Sequence, residues 1–308
     1  MSGFKNIGIS EYFKRYGYRY GIRRMAFTMR NIHLVKDYEN KKILYYRKIY
    51  NILQKKYYKY RNQNPEGLKF GNVVCKKPVW IYWKQGEHSQ PEIVKACISS
   101  VKRYIDGEVI VLSDDNYCKY IQFPQYILEK EEKGIMSTAA FSDLLRFSLL
   151  EHYGGTWIDA TVYMTGKMPS YISESEFFAF QDTFGLVNNP ALYSNWLLHS
   201  NPGNIVLREV RNMTFEYWRK QKYVMEYLFT YIFITIAVEN HMEVKETIPY
   251  GNSDYCHQML NVIGEKYNDK KYKHIISMSN IHKLSYKLYD ELYNDGNNFY
   301  HNIIKEYN

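Results

Sequence analysis

The chain has 308 residues, 45% of them hydrophobic and 24% charged, with 33 tyrosines and a formal net charge of +9, a composition that excludes a mainly disordered protein and predicts a folded core. Residues 1–61 carry 16 Lys and Arg against three acids, Glu11, Asp37 and Glu39, a net of +13, so the remaining 247 residues, with 25 bases and 29 acids, sum to −4. A mildly acidic body argues against nucleic-acid binding by the protein as a whole, because a groove that tracks phosphates needs its bases on the folded body.

Taken in chain order, the stretch MSGFKNIGISEYFKRYGYRY has no continuous apolar h-region, which argues against a signal peptide. Arg15, Arg19, Arg23, Arg24 and Arg30 follow within residues 11–30, a density suited to anionic lipid. Residues 42–60 predict an amphipathic helix in which Ile43, Tyr46, Ile49, Tyr50, Leu53, Tyr57 and Tyr60 share one face, opposite Arg47, Lys48, Asn51, Lys55 and Lys59. That face suits either a headgroup layer, where tyrosine is at home, or packing on the main body or on a second copy of the chain. Pro, Gly and Asn cluster in residues 62–71, and a boundary there separates a basic, Tyr-rich helical segment, residues 1–64, from a main domain over residues 70–308.

Beyond the boundary, strand and helix patterns alternate: a strand over 79–83, a helix over 90–104 opening with Pro91, a strand over 109–112 and a short helix over 114–120. Alternation of this kind predicts a parallel α/β sheet, with ligands beyond the carboxyl ends of the strands, at residues 82–86 and 113–116. Cys75, Cys97, Cys118 and Cys256 lack ligand spacing, so reduced thiols of a cytosolic protein are expected rather than a zinc site or disulfides. The longest apolar run, LFTYIFITIAV at residues 228–238, is far shorter than the roughly 20 residues of a membrane span and predicts a buried helix. No G-x-S-x-G elbow or G-x-x-x-x-G-K-[ST] phosphate loop is present, which disfavours an α/β-hydrolase or a P-loop kinase.

The most informative stretch is STAAFSDLLRFSLLEHYGGTWIDATVYM, residues 137–164. Its first part predicts a helix with Ser137 as N-cap and Gly154 as the stop, apolar nearly all round and therefore buried. Asp143 and Arg146 are its only charges between Met136 and Leu150. Such a pair either satisfies itself locally or reaches a polar ligand, because an isolated buried charge is costly. Gly154 and Gly155 permit a tight reversal into a strand over 156–164, where Trp157, Asp159, Thr161 and Tyr163 point one way. An acid on that strand, facing the Asp143–Arg146 pair, points to a phosphorylated or metal-bound ligand.

SDLLR, followed by YGG and then an aromatic, an aliphatic and Asp, resembles the glycosyltransferase sugar-binding region that contains the Asp-x-Asp motif. HYGG with WIDATVY is more closely similar to the capsular polysaccharide synthesis protein family, related to the family 32 retaining glycosyltransferases. The likeness extends through VWIYWKQGEHSQPEIVKACISSVKRY, VIVLSDDNY, SNWLLHSNPGN and IHKLSYK, covering roughly residues 78–287.

The resemblance implies a GT-A-type, Rossmann-like α/β fold and a transfer of a hexosyl or N-acetylhexosaminyl group, with retention, from a nucleoside-diphosphate donor such as a UDP-sugar. Asp143 and Arg146 stand where the family holds sugar hydroxyls and the sugar or diphosphate. Asp159 matches the first acid of Asp-x-Asp, while Thr161 takes the place of the second. A divalent metal, Mn²⁺ or Mg²⁺, is expected on Asp159, Thr161 and His282. Lys283 beside His282 is expected near the diphosphate, the alternative being an exposed His-Lys pair. Tyr82 and Trp83 are expected to receive the nucleobase, or else to pack in the core, and Gly155 is expected among the residues that bind the nucleotide sugar. Asn195, Trp196 and His199 are expected on a loop over the sugar or acceptor. The partners implied are the donor, a lipid-linked glycan acceptor and, through residues 1–61, an anionic membrane surface at the inner face of a bacterial cell membrane, with a homo-oligomer also open. A non-catalytic member that binds nucleotide sugar or glycan and organises an assembly complex is the alternative.

Overall fold

The computed structural model describes residues 9–30, 38–182, 189–287 and 296–307, so residues 1–8 and 31–37 of the basic segment lie outside the described residues. Two helices come first, α1 (Ile9–Arg30) and α2 (Tyr38–Tyr57). α1 kinks at Gly17, whose φ of 65° lies in the left-handed region, and a Cβ there would strike the Tyr223 ring at 2.6 Å. β1 (Lys69–Phe70), β2 (Val79–Tyr82), α3 (Glu92–Tyr104), β3 (Val109–Leu112), β4 (Ile121–Gln122) and α4 (Gln125–Glu132) follow. The expected helix over 114–120 is shorter, a single 3-10 turn at Tyr117–Lys119, because the Asn116 side chain folds back to accept from the Ser113 amide at 2.8 Å.

α5 (Thr138–Tyr153) begins where the Ser137 hydroxyl accepts from the Ala140 amide and ends at Gly154, with φ of 69°. β5 (Gly155–Ile158) leaves the reversal at once, and Gly155, with φ of 92°, lies so close to Pro78 that a Cβ would collide with its carbonyl oxygen. The strand expected over 156–164 is broken. The Val162 amide donates to the Asp159 carbonyl at 2.9 Å, turning the chain out of the sheet before β6 (Val162–Met164). The remaining elements are α6 (Ser170–Ser173), β7 (Phe177–Gln181), β8 (Tyr193–Ser200), α7 (Ile205–Lys220), α8 (Phe229–Glu239), α9 (Met242–Thr247), α10 (Ser253–Asn261), α11 (Asp269–Met278), β9 (Ile281–Lys283) and α12 (Phe299–Tyr307).

The central sheet has the order β3-β2-β5-β8-β7, with β3, β2 and β5 parallel and β8 antiparallel to both its neighbours. β6 instead pairs antiparallel with β9, setting Val162 opposite Lys283 and Tyr163 opposite His282. Period two along β2 divides two cores. Trp80 and Tyr82 join α2, α5, α7 and α8 on one face, while Val79 and Ile81 join α3, α10 and α12 on the other. Helices on both faces of the sheet make this the α/β class expected from the sequence, although the expected parallel pairing holds only for β3, β2 and β5, and the sheet as a whole is mixed.

The apolar face of α2 belongs to the first of these cores. Tyr46, Ile49, Tyr50, Leu53 and Tyr57 are all buried, and the Tyr57 ring lies 5.9 Å from that of Phe233 in α8. Of the two surfaces this face suits, the structure shows packing on the main body, which leaves Lys48, Lys55 and Lys59 outward. No helix among the described residues is long and apolar enough to cross a membrane.

Candidate functional site

The carboxyl ends of the parallel strands β2 and β5 open into a cleft of about 710 Å³. Asp143 and Arg146 reach it from α5, Asp159 and Thr161 from the turn after β5, Asn195 from β8, Thr230 from α8 and Lys283 from β9. Glu11, Lys14 and Arg15 of α1 complete the rim, so the N-terminal helix forms part of the cleft wall.

Arg146 sits at the centre and is 4% exposed. Its Nη2 lies 3.3 Å from Asp143 and 3.3 Å from Asp159, and donates to the Ser142 hydroxyl at 2.9 Å. Nη1 donates to the Asn195 backbone carbonyl and, at 2.7 Å, to its Oδ1. The guanidinium also lies 5.0 Å over the Trp157 ring. Ser142 stands one helical turn before Arg146, so the helix itself supplies the partner that holds the fork. The pair therefore does more than satisfy itself: Arg146 ties α5 to both the turn after β5 and β8.

Asp143 accepts from Asn195 Nδ2 at 3.0 Å and from the Thr230 hydroxyl at 3.2 Å. Burial pushes its pKa up to about 6, against the pull of Arg146 and with a further push from the Asp159 charge. Asp159 has the opposite balance. Burial raises its pKa, but Lys283, Arg146 and the Trp157 indole N–H at 3.0 Å together hold it below the usual carboxylate value. Lys283 Nζ lies 3.1 Å from Asp159 Oδ2 and donates to Thr161 Oγ1 at 2.6 Å.

The metal expected on Asp159, Thr161 and His282 does not fit this donor set. β-strand alternation sends His282 away from Lys283 into the core, where it is fully buried and its Nε2 meets Thr165 Oγ1 at 3.1 Å. Burial lowers its pKa to about 4, so it is neutral at physiological pH. Both oxygens of Asp159 face cationic side chains and Thr161 is engaged by an ammonium. Among the described residues no group of three or more His, Cys, Asp or Glu side chains is placed to hold a metal ion.

The other expected positions divide. Tyr82 and Trp83 line the cleft, where the Tyr82 hydroxyl donates to Asp114 at 2.6 Å and Trp83 stands edge-on to Tyr286 at 5.1 Å. Asn195, Trp196 and His199 lie on the buried strand β8, not on a loop. Asn195 and Trp196 line the cleft, whereas His199 pairs with Thr156 at 2.7 Å away from it, its pKa lowered to about 4 by burial and by Lys77. Gly155 stands at the opposite end of β5 from Asp159 and serves the approach to Pro78. Sequence reasoning missed Ser142 and Thr230; a threonine in the apolar run at 228–238 was the available signal, whereas nothing marked α1 as a cleft wall.

A family model described as capsular polysaccharide synthesis protein matches residues 28–303. Two solved structures share weaker likeness. PaToxG Glycosyltransferase is 11% identical with a TM-score of 0.40, over 67% of this chain and 80% of that one. The glycosyltransferase GlyE of Streptococcus pneumoniae TIGR4 is 14% identical with a TM-score of 0.38, over 76% of this chain and 60% of that one. No curated protein matches.

Proposed function

Given that the chain belongs to the capsular polysaccharide synthesis protein family, we propose that it is a glycosyltransferase acting on a nucleoside-diphosphate sugar, a UDP-sugar in our reading. One observation carries the proposal: a buried arginine shared by two carboxylates of unlike acidity opens onto a cleft at the carboxyl ends of parallel strands. Asp143 offers a carboxylate oxygen to sugar hydroxyls, Asp159 holds Arg146 and Lys283 in place, and these two offer cationic donors to phosphate oxygens. Aromatic faces at Tyr82 and Trp83 suit a nucleobase. The sugar goes, with retention, to a hydroxyl of a growing surface glycan, and the product's anomeric NMR coupling reads that outcome.

The deciding experiment is release of UDP from a panel of UDP-sugars by wild type and Asp159→Asn. The variant is expected to lose at least about tenfold, since it removes a charge-assisted contact from each of two cations. Equal rates would remove Asp159 from the mechanism. UDP binding by calorimetry with no turnover on any donor or glycan acceptor would assign the chain instead to a non-catalytic role in an assembly complex, a role consistent with the mutual pairing of the cleft charges.

For the lipid-linked acceptor, the supporting feature is α1, which lends Glu11, Lys14 and Arg15 to the cleft while leaving Tyr18 and Ile22 exposed beside Arg19 and Arg23. Such a surface suits contact with anionic headgroups at the inner membrane face.

A further inference from the structure

We propose that the ammonium of Lys283 takes the place of the divalent cation that a two-carboxylate motif would hold, so that donor binding in this protein needs no metal; the proposal rests on the reading of the cleft as a nucleoside-diphosphate site. Hard divalent cations need several oxygen ligands, with carboxylates prominent among them. Here the turn after β5 offers one carboxylate, and both of its oxygens are taken: Oδ1 by Trp157 and Arg146, Oδ2 by Lys283. Thr161, in the second motif position, contributes a neutral hydroxyl that accepts from the same Lys283 at 2.6 Å. A dication bound at Asp159 would share its carboxylate with an ammonium already in contact, and the two positive charges would repel.

The threonine and the lysine are linked by geometry. β6 pairs with β9 so that Lys283 lies opposite Val162, next to Thr161, and the Leu284 amide donates to the Thr161 carbonyl at 2.8 Å. An acid at position 161 would bring a second carboxylate to Lys283 and cancel its charge. A threonine fixes the ammonium without adding a further negative charge, so Arg146 and Lys283 face two carboxylates, Asp143 and Asp159, rather than three. An ammonium carries three N–H donors; Asp159 and Thr161 occupy two, and Lys283 lines the cleft.

During transfer, the bond between the anomeric carbon and the β-phosphate oxygen breaks and its electron pair stays on that oxygen. The acceptor hydroxyl oxygen bonds to the anomeric carbon, and the hydroxyl proton ends on the released diphosphate. Lys283 and Arg146 then meet the charge that develops on the phosphate oxygens, the task otherwise given to a metal.

The test is UDP titration of the full chain by calorimetry in EDTA and in Mn²⁺, with Mn²⁺ electron paramagnetic resonance on parallel samples free of EDTA and UDP and thermal unfolding to confirm folding of each variant. Equal UDP affinity in both buffers is expected. Lys283→Met should weaken binding about tenfold or more without rescue by Mn²⁺, with Lys283→Arg recovering part of the loss. Binding that requires Mn²⁺, or an unaffected Lys283→Met, would overturn the proposal. Absence of UDP binding in both buffers would instead overturn the donor reading, and metal exclusion is then decided by resonance alone. A free Mn²⁺ signal undiminished by wild type but quenched by the Thr161→Asp/Lys283→Ala double variant supports exclusion; quenching by wild type overturns it.

Discussion

At Asp143 burial and charge pull in opposite directions, and burial wins. Because its folded pKa lies above that of an unfolded aspartate, the native state binds the extra proton, and this group's contribution to stability falls as pH rises from about 4 through about 6. Asp159, held below its ordinary value, contributes stability that is present at neutral pH and lost only as acid protonates it. The expected outcome is a carboxyl ¹³C titration of Asp143 with its midpoint near 6, and an Asp159 resonance still in its ionised position at that pH. Thr230 tests the network that supports this difference. Its hydroxyl donates to Asp143 and accepts from Asn195 at 3.0 Å, so Thr230→Val leaves two buried partners short, at a cost of about 1–3 kcal/mol. A variant with slowed donor turnover and a further raised Asp143 midpoint fits that role; wild-type values for both would refute it.

Elements were legible where local rules acted alone. The start of α5 at Ser137 and its stop at Gly154 follow from a hydroxyl cap and a left-handed glycine, and the burial of α8 follows from an apolar run with no polar face. The break after β5 was not legible, since residues 156–164 have strand-like side chains throughout. It is β9, more than 100 residues later in sequence, that pairs with β6 and draws the chain out of the sheet. Asn195 likewise looked like a loop residue because polar groups surround Trp196, yet β8 is a buried strand on which Asn195 finds partners on α5 and α8. At this scale α2 provides the test. Leu53 is fully buried, so Leu53→Ala should lower unfolding stability by roughly 2–5 kcal/mol in urea denaturation. A change within a few tenths would mean that α2 only rests on the body.

Over the whole molecule the excess positive charge lies on a segment that is also structural. Removing residues 1–61 would strip α2 from the core and α1 from the cleft, so truncation cannot test membrane attachment cleanly. Reversing exposed charges does: Arg19→Glu, Arg23→Glu, Lys48→Glu and Lys55→Glu together should abolish co-sedimentation with anionic liposomes while thermal unfolding stays close to wild type. Pelleting equal to wild type in low salt would refute attachment through this surface.

The sequence by itself determined the α/β class, the family and the caps of α5, and it marked Asp143, Arg146 and Asp159 as charges in apolar surroundings. Each of those rests on neighbours within a few residues, where helical and strand periodicity make contacts predictable. Only the tertiary structure decided that Lys283 faces Asp159 while His282 does not, that α2 is core, and that α1 walls the cleft. These depend on pairings between segments far apart in the chain, where a one-residue shift in strand register exchanges the side chain in the cleft for the one in the core.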